Sequence, residues 1–210
     1  NRVESTDAFN KAIAIRPDYT EAHYNLGIVL THLGRLDEAE ASYKQTIALR
    51  PDYAEAYYSF GNTLQKLGRL EEAEASYREA ISLKSELAEA HNNLGITLKK
   101  LRRLDEAEVS YEQAIALKPA FAEAHHNLGN AHNEMGKLEK ARVSYEQSVA
   151  FKPDYAEAHN NLGNTLQGLG RLDKAELSYK RAITLQPDFV EAFWNLHGIQ
   201  RDIQGANFFN

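Results

Sequence analysis

The stretch Ala156–Pro187, AEAHNNLGNTLQGLGRLDKAELSYKRAITLQP, recurs along the chain with a step of 34 residues. Its closing proline has counterparts at Pro17, Pro51, Pro119 and Pro153. A second ladder with the same step consists of Gly27, Gly61, Gly95, Gly129 and Gly163. Self-similarity at this period is typical of repeat architectures, in which each copy is one supersecondary unit that packs against its neighbours.

Each repeat contains two helix-forming halves. With Ala156 as position 1, positions 4, 7, 8 and 11 have the spacing of one helix face and hold His159, Leu162, Gly163 and Leu166. A second such face, at positions 20, 24, 27 and 28, holds Ala175, Tyr179, Ala182 and Ile183. Gly170 between the halves is a helix-ending signal, and Pro187 closes the second half. The repeat is therefore predicted to be helix A, a tight turn, helix B and a second turn.

The repeats fill the whole chain, which we interpret as a single array. The predicted order is helix B of an incomplete repeat at 1–19, five full repeats at 20–53, 54–87, 88–121, 122–155 and 156–189, a final helix A at 190–203 and a tail at 204–210. Half-repeats at both ends indicate a piece of a longer array, because terminal repeats normally carry polar caps.

Composition excludes several classes of protein. The formal net charge of −6 argues against general nucleic-acid binding, which depends on clustered Lys and Arg. No apolar run approaches the roughly 18–20 residues that span a membrane. The chain has no cysteine, so disulfides, thiolate metal sites and a cysteine nucleophile are excluded. We expect a cytoplasmic protein that needs no cofactor, although the first residue, Asn1, leaves a removed leader possible.

The pattern resembles the tetratricopeptide repeat (TPR) family over nearly the entire chain. The matching features are the 34-residue period, the Leu-Gly pairs such as Leu162–Gly163, the small residue at position 20 and the tyrosine at position 24. Where the family often has Trp at position 4, this chain mostly has His: His23, His91, His125 and His159. The resemblance implies an all-α fold, an α-solenoid that forms a right-handed superhelix of antiparallel helix pairs. It also implies that the A helices line a concave groove.

The face of helix A that packing does not use is the candidate binding site. Positions 5, 6 and 9 of this face provide Tyr24, Asn25, Tyr58, Asn62, Asn92, Asn93, His126, Asn127, Asn130, Asn160, Asn161, Asn164, Trp194 and Asn195. An asparagine side chain offers both donors and an acceptor, so a ladder of them suits the backbone of an extended peptide. The TPR region of O-GlcNAc transferase is similar at position 6. Alternatively, these asparagines bond between neighbouring A helices and shape the array.

Other candidate sites fit structural roles better. Position 2 is Glu in every copy, such as Glu21 and Glu55, and a carboxylate in the first helical turn offsets the helix dipole. Alternatively, the position-2 glutamates form an acidic row, or acidic rail, that attracts basic peptides. Some TPR domains bind the C-terminal tails of chaperones with a two-carboxylate clamp that needs cationic residues at positions 2 and 5. We reject this site here, because position 5 is never Lys and position 2 is always Glu. A metal site at His125, His126 and His132 is not expected, since two of them lie about 10 Å apart along the helix.

The third repeat departs from the pattern. Arg102 replaces the turn glycine, and Ser85 replaces the closing proline. Arg102 belongs to a basic cluster with Lys99, Lys100 and Arg103. Sequence drift explains these changes best, and an anion-contacting turn or a hinge is the alternative.

Two functions are compatible with the sequence. The first is a non-enzymatic scaffold that binds an extended peptide segment of a partner protein in the groove. The second is the substrate-recruiting TPR region of a larger enzyme, of glycosyltransferase or sulfotransferase type, whose catalytic domain lies outside this chain. The incomplete ends also suggest head-to-tail self-association, with Phe9, Phe193, Trp194, Phe208 and Phe209 as residues to be buried there.

Overall fold

The computed structural model describes the backbone of residues 2–208 and the side chains of residues 5–201. Within this part of the chain all regular structure is α-helical, and consecutive helices pack as pairs. The twelve described helices are α1 Arg2–Ile15, α2 Thr20–His32, α3 Leu36–Leu49, α4 Ala54–Lys66, α5 Leu70–Leu83, α6 Ala88–Lys100, α7 Leu104–Leu117, α8 Ala122–Glu134, α9 Leu138–Phe151, α10 Ala156–Gly168, α11 Leu172–Leu185 and α12 Val190–Phe208. The all-α, α-solenoid prediction is confirmed.

The chain divides into two compact units, residues 1–103 and 104–210. In unit 1, the A helices are α2, α4 and α6. In unit 2, they are α8, α10 and α12. The turn between helix A and helix B needs a left-handed residue, and Gly34, Gly68, Gly136 and Gly170 supply it with φ of 75°, 77°, 71° and 72°. Arg102 keeps the same conformation with φ of 63°, as its place in the repeat predicts.

A glycine–tyrosine contact holds helix A against helix B within a repeat. A Cβ atom added to Gly163 would lie 2.5 Å from the nearest ring carbon of Tyr179, closer than any ordinary contact. Gly27, Gly61 and Gly129 stand in the same relation to Tyr43, Tyr77 and Tyr145. The position-8 glycine is therefore required by the close approach of the ring, which is buried in each case.

One detail differs from the sequence-based expectations. The last helix continues to Phe208, past the predicted end at Ile203, because no proline or Gly-Arg turn interrupts it. The side chain of Phe208 and the whole of Phe209 lie outside the described residues, so their proposed burial is untested. None of the helices in the described part of the chain is both long and apolar enough to cross a lipid bilayer.

Candidate functional site

Three position-6 asparagines, Asn93, Asn161 and Asn195, connect their A helix to the preceding one. In unit 1, Asn93 Nδ2 donates to Asn62 Oδ1 at 2.8 Å and to the Tyr58 hydroxyl at 3.3 Å. In unit 2, Asn161 Nδ2 donates to Asn130 Oδ1 at 3.1 Å. Asn195 Nδ2 likewise donates to Asn164 Oδ1 at 2.9 Å and to Asn160 Oδ1 at 3.1 Å. Bonding between neighbouring A helices, the alternative considered for these residues, is therefore present.

The position-9 asparagines receive a second hydrogen bond from the buried tyrosine of their own repeat. The Tyr77 hydroxyl donates to Asn62 Oδ1 at 2.8 Å. The corresponding bonds are Tyr145 to Asn130 at 2.7 Å and Tyr179 to Asn164 at 2.8 Å. Burial raises the pKa of Tyr179 to about 12, so its hydroxyl keeps the proton that it donates at neutral pH.

Two donors on one oxygen fix the orientation of each position-9 amide. Because Oδ1 is occupied, Nδ2 is the group that remains for other partners. In the described part of the chain Nδ2 of Asn62, Asn130 and Asn164 has no hydrogen-bond partner, and none of these atoms is among the buried unpaired ones. Position 9 therefore presents accessible N–H donors in both units.

Position 5 is less accessible than the sequence predicted. The exposed fractions of Asn92, His126 and Asn160 are only 6%, 9% and 1%. In unit 2 the reason is that His126 and Asn160 each contact the position-6 asparagine of the next A helix. Placing these three side chains in the open groove was therefore wrong. Tyr24 and Tyr58 are half-buried, and Trp194 is 67% exposed.

His126 is held in one neutral form by its neighbours. Its Nε2 lies 3.1 Å from Asn161 Nδ2, and its Nδ1 lies 3.1 Å from the Tyr155 hydroxyl. Asn161 can present only a donor there, because its Oδ1 would otherwise face Asn130 Oδ1. The imidazole therefore accepts at Nε2 and carries its proton on Nδ1.

A cavity of about 450 Å³ opens on the A helices of unit 1. Ile28 and Tyr43 form an apolar wall, and Asn62 contributes its amide. Lys66 and His32 bring the basic groups, and no Asp or Glu lines the cavity. The cavity is large enough to hold a side chain of a ligand.

Three of the position-2 glutamates form ion pairs within their own repeats. Glu21 forms an ion pair with Arg50, and Glu55 pairs with Lys84 at 3.0 Å. These hydrogen bonds lower the pKa of both carboxyl groups. Glu123 pairs with Lys152 at 3.1 Å in the same way. These three carboxylates each have a cationic partner, so they tie helix A to the end of helix B. Glu191 instead accepts a hydrogen bond from Asn160 Nδ2 at 2.9 Å.

The position-4 histidines cap the turn that precedes their helix. In each case Nε2 bonds to the carbonyl oxygen six residues earlier, at 2.8–3.1 Å. The pairs are His23 with Pro17, His91 with Ser85, His125 with Pro119 and His159 with Pro153. This contact explains why histidine suits this position. Among the described residues, no three His, Asp or Glu side chains are grouped as ligands of one metal ion.

Comparisons with known proteins identify the family. Residues 18–86, 58–119 and 156–189 match families described as tetratricopeptide repeat, and residues 103–136 and 129–170 match one described as TPR repeat. The chain belongs to the tetratricopeptide repeat family. A search of curated proteins gave no match.

Several solved TPR structures are similar to this chain. YrrB, described as a TPR protein with an unusual peptide-binding site, is 26% identical over 90% of this chain and 97% of its own, with a TM-score of 0.73. MamA is also 26% identical, over 79% of this chain and 97% of its own, with a TM-score of 0.73. PilF of Pseudomonas aeruginosa has a TM-score of 0.78 over 98% of this chain and 87% of its own, but at 19% identity it supports the fold alone.

The sequence predicted which face of helix A carries the asparagines and missed how their amides are arranged. That this face binds a peptide stays a prediction. Asn25 is exposed, and Asn127 is half-buried. The role of the position-24 tyrosines was missed, because nothing in the periodicity shows that their hydroxyl groups reach position 9.

Proposed function

We propose that this TPR chain is an interaction scaffold that binds an extended segment of a partner protein along its A helices. The observation that carries the proposal is the accessible Nδ2 donor at Asn62 in unit 1 and at Asn130 and Asn164 in unit 2, each fixed in orientation by two hydrogen bonds to its own Oδ1. Neutral N–H donors match the backbone carbonyls that every peptide carries. Tyr24 and Trp194 add aromatic surface for side chains.

The roles of the position-6 and position-9 asparagines differ from the sequence-based hypothesis. The position-6 residues Asn93, Asn161 and Asn195 each donate a hydrogen bond to the preceding A helix. They orient the position-9 residues, which contact the ligand. The peptide-binding site described for YrrB, at 26% identity, is consistent with this use of the fold. A substrate-recruiting region of a larger enzyme would use the same surface.

A matched pair of substitutions on α8 tests the proposal. Asn130→Asp keeps an oxygen for Tyr145 and Asn161 but removes the free donor. Asn133→Asp places the same charge on an exposed residue of the same helix that has no part in the ladder. The probe is a fluorescein-labelled, eight-residue peptide of alternating alanine and glutamine, and its affinity is measured by fluorescence anisotropy.

We expect Asn130→Asp to weaken binding about threefold to tenfold, the loss of one net hydrogen bond, while Asn133→Asp binds like the parent chain. Equal weakening by both substitutions would show that charge, and not the position-9 donor, governs binding. The thermal midpoint of each variant is measured in parallel, because the retained acceptor should leave Asn130→Asp folded.

A further inference from the structure

We infer that the cavity of unit 1 receives an acidic side chain of the bound segment, so that the preferred partner carries an Asp or Glu there. This inference rests on the proposed function and names the chemistry of one subsite. The inference is drawn from a cavity of about 450 Å³ whose lining contains Lys66 and His32 but no carboxylate.

The polar groups of the cavity favour an acceptor as ligand. Asn62 offers Nδ2, because Tyr77 and Asn93 occupy its Oδ1. Lys66 is exposed and makes no ion pair with any described residue, so its charge is available. A carboxylate between Asn62 Nδ2 and Lys66 Nζ would accept charge-assisted hydrogen bonds from both.

A basic ligand side chain would be poorly matched here. Among the lining residues it would find no carboxylate to offset its charge, and it would approach Lys66. The apolar wall of Ile28 and Tyr43 suits the methylene groups of a glutamate.

The acid preference is confined to unit 1. At the repeat position of Lys66, unit 2 has Glu134 on α8 and Gly168 on α10. Neither residue supplies a cation. An acidic residue of the partner would therefore mark the part of the segment that lies on unit 1.

The test compares two labelled peptides on the whole chain. One is the alternating alanine–glutamine peptide, and the other has glutamate in place of each glutamine. We expect the glutamate peptide to bind at least about tenfold more tightly at low ionic strength, with a smaller preference at high salt because exposed charges are screened. Lys66→Gln should remove most of this preference and leave the affinity for the glutamine peptide unchanged.

Lys174→Gln on α11 is the control, since it removes the same charge from an exposed residue of unit 2 that does not line the cavity. Equal affinity for both peptides would overturn the acidic subsite and leave backbone binding in place. A preference that survives Lys66→Gln, or that falls equally with Lys174→Gln, would also overturn it. If neither peptide binds, the proposed function fails and the subsite fails with it. Circular dichroism melts check that both variants fold, because Lys66 also lies in the last turn of α4.

Discussion

Tyr77, Tyr111 and Tyr145 occupy the same position of successive repeats, but their hydroxyl groups have different surroundings. Tyr77 and Tyr145 each donate to a position-9 asparagine. The Tyr111 hydroxyl is buried and has no hydrogen-bond partner among the described residues. A buried polar group without a partner lowers stability relative to an apolar group of the same shape.

The first prediction follows from this difference. Tyr111→Phe should leave the free energy of unfolding unchanged or raise it, because the hydroxyl that is removed makes no bond. Tyr145→Phe should lower it by about 1 kcal/mol, since Asn130 loses a donor. Urea denaturation followed by circular dichroism measures both. Equal losses of unfolding free energy in the two variants would show that the hydrogen bond from Tyr145 to Asn130 does not stabilise the fold.

The second prediction concerns two helix-A glycines. Gly163→Ala should destabilise the chain by about 1–3 kcal/mol, because the new Cβ would overlap the Tyr179 ring and push its hydroxyl from Asn164. Gly198→Ala is the control, since a Cβ there meets nothing within 4 Å. The gain in helix propensity should stabilise this variant by about 0.5–1 kcal/mol. Thermal melts measure both variants. Equal decreases in their midpoints would show that the close approach of the Tyr179 ring to Gly163 has no special role.

At the residue scale, the sequence predicted what depends on local geometry. The repeat alone places Arg102 in the turn and Gly163 on the packing face of helix A, whereas the positive φ of Arg102 and the contact of Gly163 with the Tyr179 ring are findings of the structure. The orientation of the Asn130 amide could not be predicted. It depends on two donors that arrive from different helices, Tyr145 on α9 and Asn161 on α10.

Ion pairs join the B helix of one repeat to the start of the next B helix. Glu40 pairs with Arg69 at 2.6 Å in unit 1, and Glu108 pairs with Lys137 at 2.7 Å in unit 2. Glu108 also contacts Lys140 at 3.2 Å and the buried His132 at 3.0 Å. The hydrogen bond from Lys137 is the main reason that the pKa of Glu108 falls to about 2, with His132 and Lys140 contributing.

The third prediction is a pH dependence of stability centred on Glu108. Its pKa in the folded chain lies below the ordinary value of 4.5, so its contribution is present above about pH 4.5 and is lost as the pH falls toward 2. The parent chain should therefore exceed Glu108→Gln in urea midpoint at pH 5, and this difference should shrink toward pH 2.5. A difference that stays constant over this range would contradict the assignment. Other carboxyl groups titrate in both proteins, so they cancel in the comparison.

At the scale of helices, the sequence predicted the order and most of the bounds. The periodicity and the turn residues are local signals, which is why α10 and α11 end where the pattern ends. The pair of Glu108 with Lys137 was not predicted. It joins positions 29 residues apart, and only the way that one helix pair stacks on the next brings them together.

The two units offer a partner different surfaces, although they are built from the same repeat. Unit 1 has the basic cavity at Lys66, whereas unit 2 has the exposed aromatic residues Phe193 and Trp194 on α12. Their rings, with His197, contact one another in edge-on geometry. Head-to-tail self-association through such a face stays a prediction. His197 stands where other A helices have glycine, so a tyrosine-bearing helix B could not approach it as closely.

In the proposed function, Nδ2 of the position-9 asparagines is the group that binds the peptide backbone. Side-chain amide signals in a ¹⁵N NMR titration with the alanine–glutamine peptide test it most directly. We expect the resonances of the Nδ2 protons of Asn62, Asn130 and Asn164 to shift most as the peptide is added. The amides of Asn93, Asn161 and Asn195 should change less, because they remain bonded within the array. Largest shifts at these position-6 amides, or on the B helices, would contradict the account.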